Sequence, residues 1–164
     1  MPPKRIPKAP SRTDDSQYLE FLSSLKLAGM GLKTSSAVLD REVLWQLSDK
    51  DKPRCNFSEE YKHTTIGEDF FEAEGQYGVT IADGERLALK IECTFDVHMH
   101  VQAPVKPEMA KRFAESDLRF VLLPYARYFV TDMTSQMQIP PIVLPLATAM
   151  GKARVRSKED SHAV

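Results

Sequence analysis

From Leu87 to Gln102 the chain alternates with a period of two. Leu87, Leu89, Ile91, Cys93, Phe95, Val97, Met99 and Val101 share one side of an extended chain. Ala88, Lys90, Glu92, Thr94, Asp96, His98, His100 and Gln102 share the other. A helix would scatter both sets around its circumference, so this stretch is read as a strand. One apolar and one polar side calls for an antiparallel sheet with a covered face and a wet face. The preceding segment repeats the pattern on the same odd parity, with Phe71, Ala73, Gly75, Tyr77, Val79 and Ile81. Residues paired across a hairpin point to the same face. A two-residue loop at Asp83-Gly84 would therefore set the apolar face of one strand against the polar face of the other. A three-residue loop, Ala82-Asp83-Gly84, pairs Ile81 with Glu85 and keeps odd with odd, with Gly84 in the left-handed region. The expected hairpin thus runs from Phe71 to Val101, with its odd residues facing a helix layer.

Upstream the signals are weaker. Tyr18, Leu19, Leu22 and Leu25 recur at helical spacing after Asp15 and Ser16, either of which can cap a short helix. Gly29-Met30-Gly31 is expected to end it. Leu32 to Leu47 reads as extended, and Cys55, Phe57, Tyr61 and His63 share the parity of a further strand. Downstream, Pro107 and Glu108 open a short helical stretch through Glu115. Leu118, Val121, Leu122, Tyr125, Ala126, Phe129, Val130, Met133 and Met137 then form a broad amphipathic stripe. Pro124 costs roughly 3 kcal/mol in a helix interior, so the regular helix is expected to start near it or to kink there. It must stop before Ile139-Pro140-Pro141, and Ile142 to Leu146 continues as an extended apolar strip.

The 164 residues suit one domain flanked by tails. Residues 1–15 carry four prolines and four basic residues with almost no apolar content, the composition of a disordered basic arm. Residues 16–150 form the domain and residues 151–164 a disordered polar tail. A net charge of -1 gives no field that would gather nucleic acid or anionic lipid. No apolar run is long enough for membrane insertion, and the N-terminus lacks the apolar stretch of a secretory signal. Two cysteines without CxxC spacing suit a reducing compartment, so the chain is expected in the cytoplasm.

Chemistry-bearing motifs are scarce. His98 and His100 lie two apart on the wet face, but structural and catalytic zinc sites need three or four ligands, and no third is identifiable beyond the candidates Asp96 and His63. No metal, cofactor or catalytic residue is assigned. Nucleophile elbow, P-loop and GxGxxG patterns are absent from the sequence. Cys93 reads as a small core residue. Glu68, Glu72 and Glu74 fall in an acidic stretch that is either a solvated face or a docking surface for a basic partner. The apolar surplus is more informative. One sheet and one helix layer can cover one sheet face and one helix stripe. This chain also offers Phe120, Leu123, Tyr128, Ile139, Ile142, Val143, Leu144 and Leu146, together with Met109 and Phe113 on the short helix. These ten residues are the candidate groove for unfolded polypeptide clients. The competing reading is that they close a homo-oligomer.

Leu122-Leu123-Pro124-Tyr125-Ala126-Arg127, then Val130-Thr131-Asp132-Met133-Thr134-Ser135, then Ile139-Pro140-Pro141-Ile142-Val143-Leu144-Pro145, resemble the most recognisable stretch of SecB-type export chaperones. The resemblance implies an α+β fold, a four-stranded antiparallel sheet with helices on one face, assembled as a dimer of dimers. It implies a non-enzymatic chaperone that binds non-native chains, keeps them competent for translocation or folding, and in export members hands them to SecA. The family's long C-terminal helix and SecA-binding tail are not recognisable here. That leaves two alternatives: a SecB-like guardian of an antitoxin, and an oligomeric adaptor that is no chaperone.

Overall fold

The computed structural model describes residues 12–48 and 55–145. In chain order these form α1 (Arg12–Ser24), β1 (Lys26–Leu39), α2 (Arg41–Ser48), β2 (Cys55–Ile66), β3 (Phe70–Asp83), β4 (Arg86–His100), α3 (Pro107–Ser116) and α4 (Leu118–Gln136). The strands make one antiparallel sheet in the order β1-β4-β3-β2. The alternating strands occupy its centre. Phe71 pairs with Met99, Ala73 with Val97 and Val79 with Ile91, so odd faces odd. These six side chains are 6% exposed or less. All four helices lie over that odd face: α3 packs on β2 and β3, α4 on β3 and β4, α2 on β4, and α1 through Phe21 on Phe71.

The hairpin keeps this parity by a different device from the one expected. Ala82 pairs with Leu87 and Asp83 with Arg86, so the loop has two residues, Gly84 and Glu85. Ile81 then pairs with Leu89, which leaves Ala88 as a bulge. The bulge restores odd-to-odd pairing, and the Ala88 carbonyl accepts the Asp40 N–H at 2.8 Å. Gly84 is left-handed, with φ of 59°, as its place in the turn requires.

Three upstream expectations are corrected. The first helix starts at Arg12, so residues 12–15 are helical rather than part of an arm, and Asp15 and Ser16 lie inside the helix rather than capping it. Gly29-Met30-Gly31 does not end that helix but lies within β1, where Gly29 pairs with His98 and Gly31 with Asp96. The stretch to Leu47 is extended only as far as Leu39, and α2 follows. Asp40 caps α2, its Oδ1 accepting the Val43 N–H at 3.0 Å. Val43, Leu44 and Leu47 then turn toward the core at helical spacing. The arm of residues 1–11, Leu146, and the tail from 151 lie outside the described residues.

Helix α4 starts six residues ahead of Pro124 and runs through it. Leu118, Leu122, Ala126 and Val130 are buried on one side, so packing outweighs the lost backbone bond. Tyr125, expected in this stripe, is instead exposed. The helix closes with the Ile139 N–H on the Thr134 carbonyl at 3.2 Å and the Gln138 N–H on the Ser135 carbonyl at 2.9 Å. This is a Schellman end with Gln138 at φ 58° in the position glycine usually takes. Beyond it the chain runs without regular structure, as its prolines dictate, and inserts Leu144 (1% exposed) into the core. Replacing Leu144 with Ala should therefore cost about 2–5 kcal/mol. Urea unfolding would show this as a lower midpoint at unchanged slope. A loss below about 1 kcal/mol would mean the strip is not part of the core.

Candidate functional site

Helix α4 is apolar on more than one side. Phe120, Pro124 and Tyr128 recur every four residues and form an outward row, with Tyr125 beside it. Phe120 is 62% exposed, Tyr128 75% and Tyr125 47%. The strip after the helix is fastened alongside. The Thr131 hydroxyl donates to the Ile142 carbonyl at 3.2 Å, and the Ile142 N–H donates to Thr134 Oγ1 at 3.1 Å. An extended chain held in this way alternates: Leu144 points in, Val143 points out and is 53% exposed.

This geometry divides the candidate groove residues. Phe120, Tyr128 and Val143 are exposed, Ile139 and Ile142 are half-buried against the core, and Met109 is half-buried. Phe113, Leu123 and Leu144 are corrected to core residues, each 5% exposed or less, and cannot meet a client without a rearrangement. Sequence spacing placed Leu123 on the outer side, whereas it belongs to the same buried cluster as Phe113 and Leu144. Other exposed apolar side chains went unnoticed in the sequence. Leu27 and Leu32 lie on the odd face of β1, opposite Met99 and Phe95, and Trp45 stands on α2.

The environment of Phe113 was also missed. Four rings form a series: Tyr18 stacks against Phe21 (6.0 Å), Phe21 against Phe71 (6.0 Å), and Phe71 meets Phe113 edge-on (5.5 Å). The Arg112 guanidinium covers Tyr18 at 4.0 Å and pairs with Asp15 at 2.8 Å. The Tyr18 hydroxyl donates to Asp117 Oδ2 at 2.5 Å. Burial, reinforced by that bond, pushes the Tyr18 hydroxyl pKa well above its usual value. Under α4, Arg119 reaches Glu59 Oε1 at 2.7 Å, and the Tyr61 hydroxyl donates to Glu59 Oε2 at 2.8 Å.

The opposite sheet face is polar and slightly hollow, a depression of about 370 Å³ lined by Gly29, Gly31, Lys33, Glu74, Asp96 and His98 among others. Of the acidic candidates, Glu68 is exposed in the turn between β2 and β3, and Glu72 is half-buried, with its Oε1 3.3 Å from His98 Nδ1. Glu74 is corrected: it is buried, bonded to Lys33 and 3.2 Å from Lys62, so it is already neutralised within the chain. His100 Nδ1 faces the Asp69 carbonyl at 3.0 Å. Among the described residues no group of three or more His, Cys, Asp or Glu is placed to hold a metal ion. Nor is any described helix long and apolar enough to cross a membrane. Cys93 is in the core, where burial pushes its thiol up to about 12.

No protein-family model matches the sequence, and a search of curated proteins finds no match. Solved structures do match. A SecB-like chaperone of Mycobacterium tuberculosis, in complex with a ChAD peptide from the HigA1 antitoxin, aligns over 79% of this chain and 96% of its own, with a TM-score of 0.59 and 15% identity. A Streptococcus agalactiae protein of unknown function aligns over 74% of this chain and 96% of its own, with a TM-score of 0.45 and 12% identity. The first likeness, taken with the sheet order and the helix layer, shows that the chain has the SecB-like α+β fold.

The Glu74 cluster sets an acid-stability expectation. Burial pushes its carboxyl up, but bonds from Lys33 and Lys62 outweigh that and hold it below the usual 4.5. A depressed carboxyl contributes stability above the ordinary value and loses it as pH falls through the lowered one. Glu74→Gln should therefore be less stable than the parent at neutral pH, with the gap closing below about pH 4. Denaturation midpoints from neutral to acid pH check this, and a gap that persists at the acid end refutes it.

Proposed function

We propose that this protein is a chaperone without enzymatic activity that holds unfolded or non-native polypeptides on apolar surface beside α4. The observation that carries this reading is the outward row Phe120, Pro124 and Tyr128 with Val143 on the adjacent strip. Large apolar side chains held open on fixed backbone mark a binding surface. Each contributes roughly 1.5–3 kcal/mol when fully covered. An extended client needs only apolar area there, so the surface reads no sequence. The SecB-like fold supports the reading, and so does the neighbour, a chaperone that carries a peptide.

Assembly into a homo-oligomer belongs to the same proposal. β1 is a sheet edge of 14 residues, with Leu27, Leu32 and Val38 about half exposed. Edges of that length invite pairing with another chain. A second copy there would extend the sheet, and a dimer of dimers follows if the helix layers also meet. Of the finer roles, guarding an antitoxin is favoured by the antitoxin peptide on the M. tuberculosis neighbour. Delivery of preproteins to SecA rests on the sequence resemblance alone. A cytoplasmic location is consistent with either role.

A slow-folding reporter refolded with a stoichiometric amount of the protein should be delayed, and an unchanged refolding rate would reject the holding role. In the same assay, Phe120→Ser with Tyr128→Ser and Val143→Ser should weaken holding roughly tenfold or more, since loss of one such contact already exceeds about 1.4 kcal/mol. Melting temperature and elution volume should change little, because surface substitutions usually stay within about 0.5 kcal/mol. A variant that falls apart into smaller species would assign these residues to the oligomer interface instead.

A further inference from the structure

We propose that α1 is a displaceable cover that occupies, within its own chain, a second apolar client subsite formed by Phe71 and Phe113. This rests on the holding function proposed above and adds its regulation. Phe113 was expected to meet clients, yet it is 3% exposed and Phe71 0%. The ring stacked on Phe71 is Phe21 of α1. The helix thus sits where an aromatic segment of a client would sit, and it shows what the subsite accepts: an aromatic ring followed three residues later by another, flanked by leucine.

The cover is weakly built. A helix of 13 residues is marginal by itself in water. Its inward contacts are Tyr18, Phe21 and Leu22, with Leu25 just beyond its end, whereas Ser16, Gln17, Leu19, Glu20 and Ser23 face solvent. Among its described side chains, the polar holds run through two residues only. The Tyr18 hydroxyl bonds Asp117 and the Arg112 guanidinium covers the Tyr18 ring, while the Asp15–Arg112 ion pair adds little because both groups are more than a third exposed. Elements held by few apolar contacts open at the low end of the free-energy scale. Opening also leaves the sheet intact, because β1 begins at Lys26, after the last of these contacts. A surface competent only when α1 is away shows an affinity reduced by the fraction of time it is away. If that fraction is about one tenth, undocking α1 tightens client binding about tenfold.

The test uses the full chain and reduced, carboxymethylated α-lactalbumin, which stays unfolded in buffer, as probe. Tyr18→Ser with Phe21→Ser undocks α1 and should bind the probe roughly tenfold tighter. Ser16→Ala with Ser23→Ala strengthens the helix on its exposed side and should bind it several-fold more weakly. In the parent protein, a saturating amount of probe should strip α1 of its hydrogen-exchange protection. That measurement decides the matter if the first variant fails to fold. Equal affinity in all three proteins, or an α1 still protected with probe bound, overturns the cover while leaving holding in place. A parent and both variants that keep their assembly but bind no probe would overturn the holding function and the cover with it.

Discussion

Val79 opposite Ile91, with Ala73 opposite Val97 and Phe71 opposite Met99, is the pairing on which the rest of the structure depends. Because both strands carry their large side chains on odd positions, only an odd-to-odd register makes a continuous apolar face. The bulge at Ala88 enforces that register against a two-residue loop that would otherwise reverse it. Once the face exists it must be covered, and the helices take their places on it. α4 lies over the central strands β3 and β4, α3 lies over β3 and the edge strand β2, α2 closes the end near Leu39 and Leu89, and α1 closes the end near Phe71. Gly75 leaves room for α4, since a Cβ there would be 2.7 Å from Leu122.

The cover is uneven, and the unevenness lies where the candidate surface is. On the covered side of the sheet β1 keeps Leu27 and Leu32 about half exposed, because the helices pack mainly on β2, β3 and β4. On α4 the buried and outward rows are both apolar, so whatever the first layer covers, a second row is left. Polar groups inside the layer are mostly matched. Glu59 receives both Arg119 and Tyr61, while Arg119 Nε is left without a partner among the described residues. Breaking that cluster from one side would strand a charge, which costs more than the pair contributes.

The central sheet was legible because its alternation is long and unbroken, and the antiparallel pairing and buried odd face follow from it. The hairpin loop was not, since a bulge and a longer loop preserve parity equally well and Ala88 fits either. Helix α2 was hidden by β-branched and small residues just ahead of it. Its signal was present all the same: Asp40, then Glu42, then Val43, Leu44 and Leu47 at helical spacing. Gly29 and Gly31 misled because they lie inside a strand, paired with His98 and Asp96, rather than at a helix end. At the candidate site, spacing set Phe120 and Tyr128 outside the buried stripe but misplaced Leu123 and Tyr125, and it could not say which strip residues turn inward. That depends on the Thr131 and Thr134 hydroxyls, two bonds across the helix end that no local pattern encodes.

The proline-rich strip explains how apolar surface can stay open without collapsing. Pro140, Pro141 and Pro145 have no N–H to donate and cannot join a helix or the interior of a sheet, so the strip cannot fold back into regular structure. Left free, it would be an unstructured apolar tail, which costs ordering entropy whenever it binds. Anchored by Leu144 in the core and by the two threonines, it is ordered within the fold itself. Val143 is then presented at the entropic expense of folding rather than of binding, which is the general advantage of a preformed site. The same arrangement carries a structural requirement. Leu144 and Val143 are neighbours in sequence, yet one holds the fold together and the other faces solvent, so the strip can change its outward side chains freely only while its inward ones stay fixed.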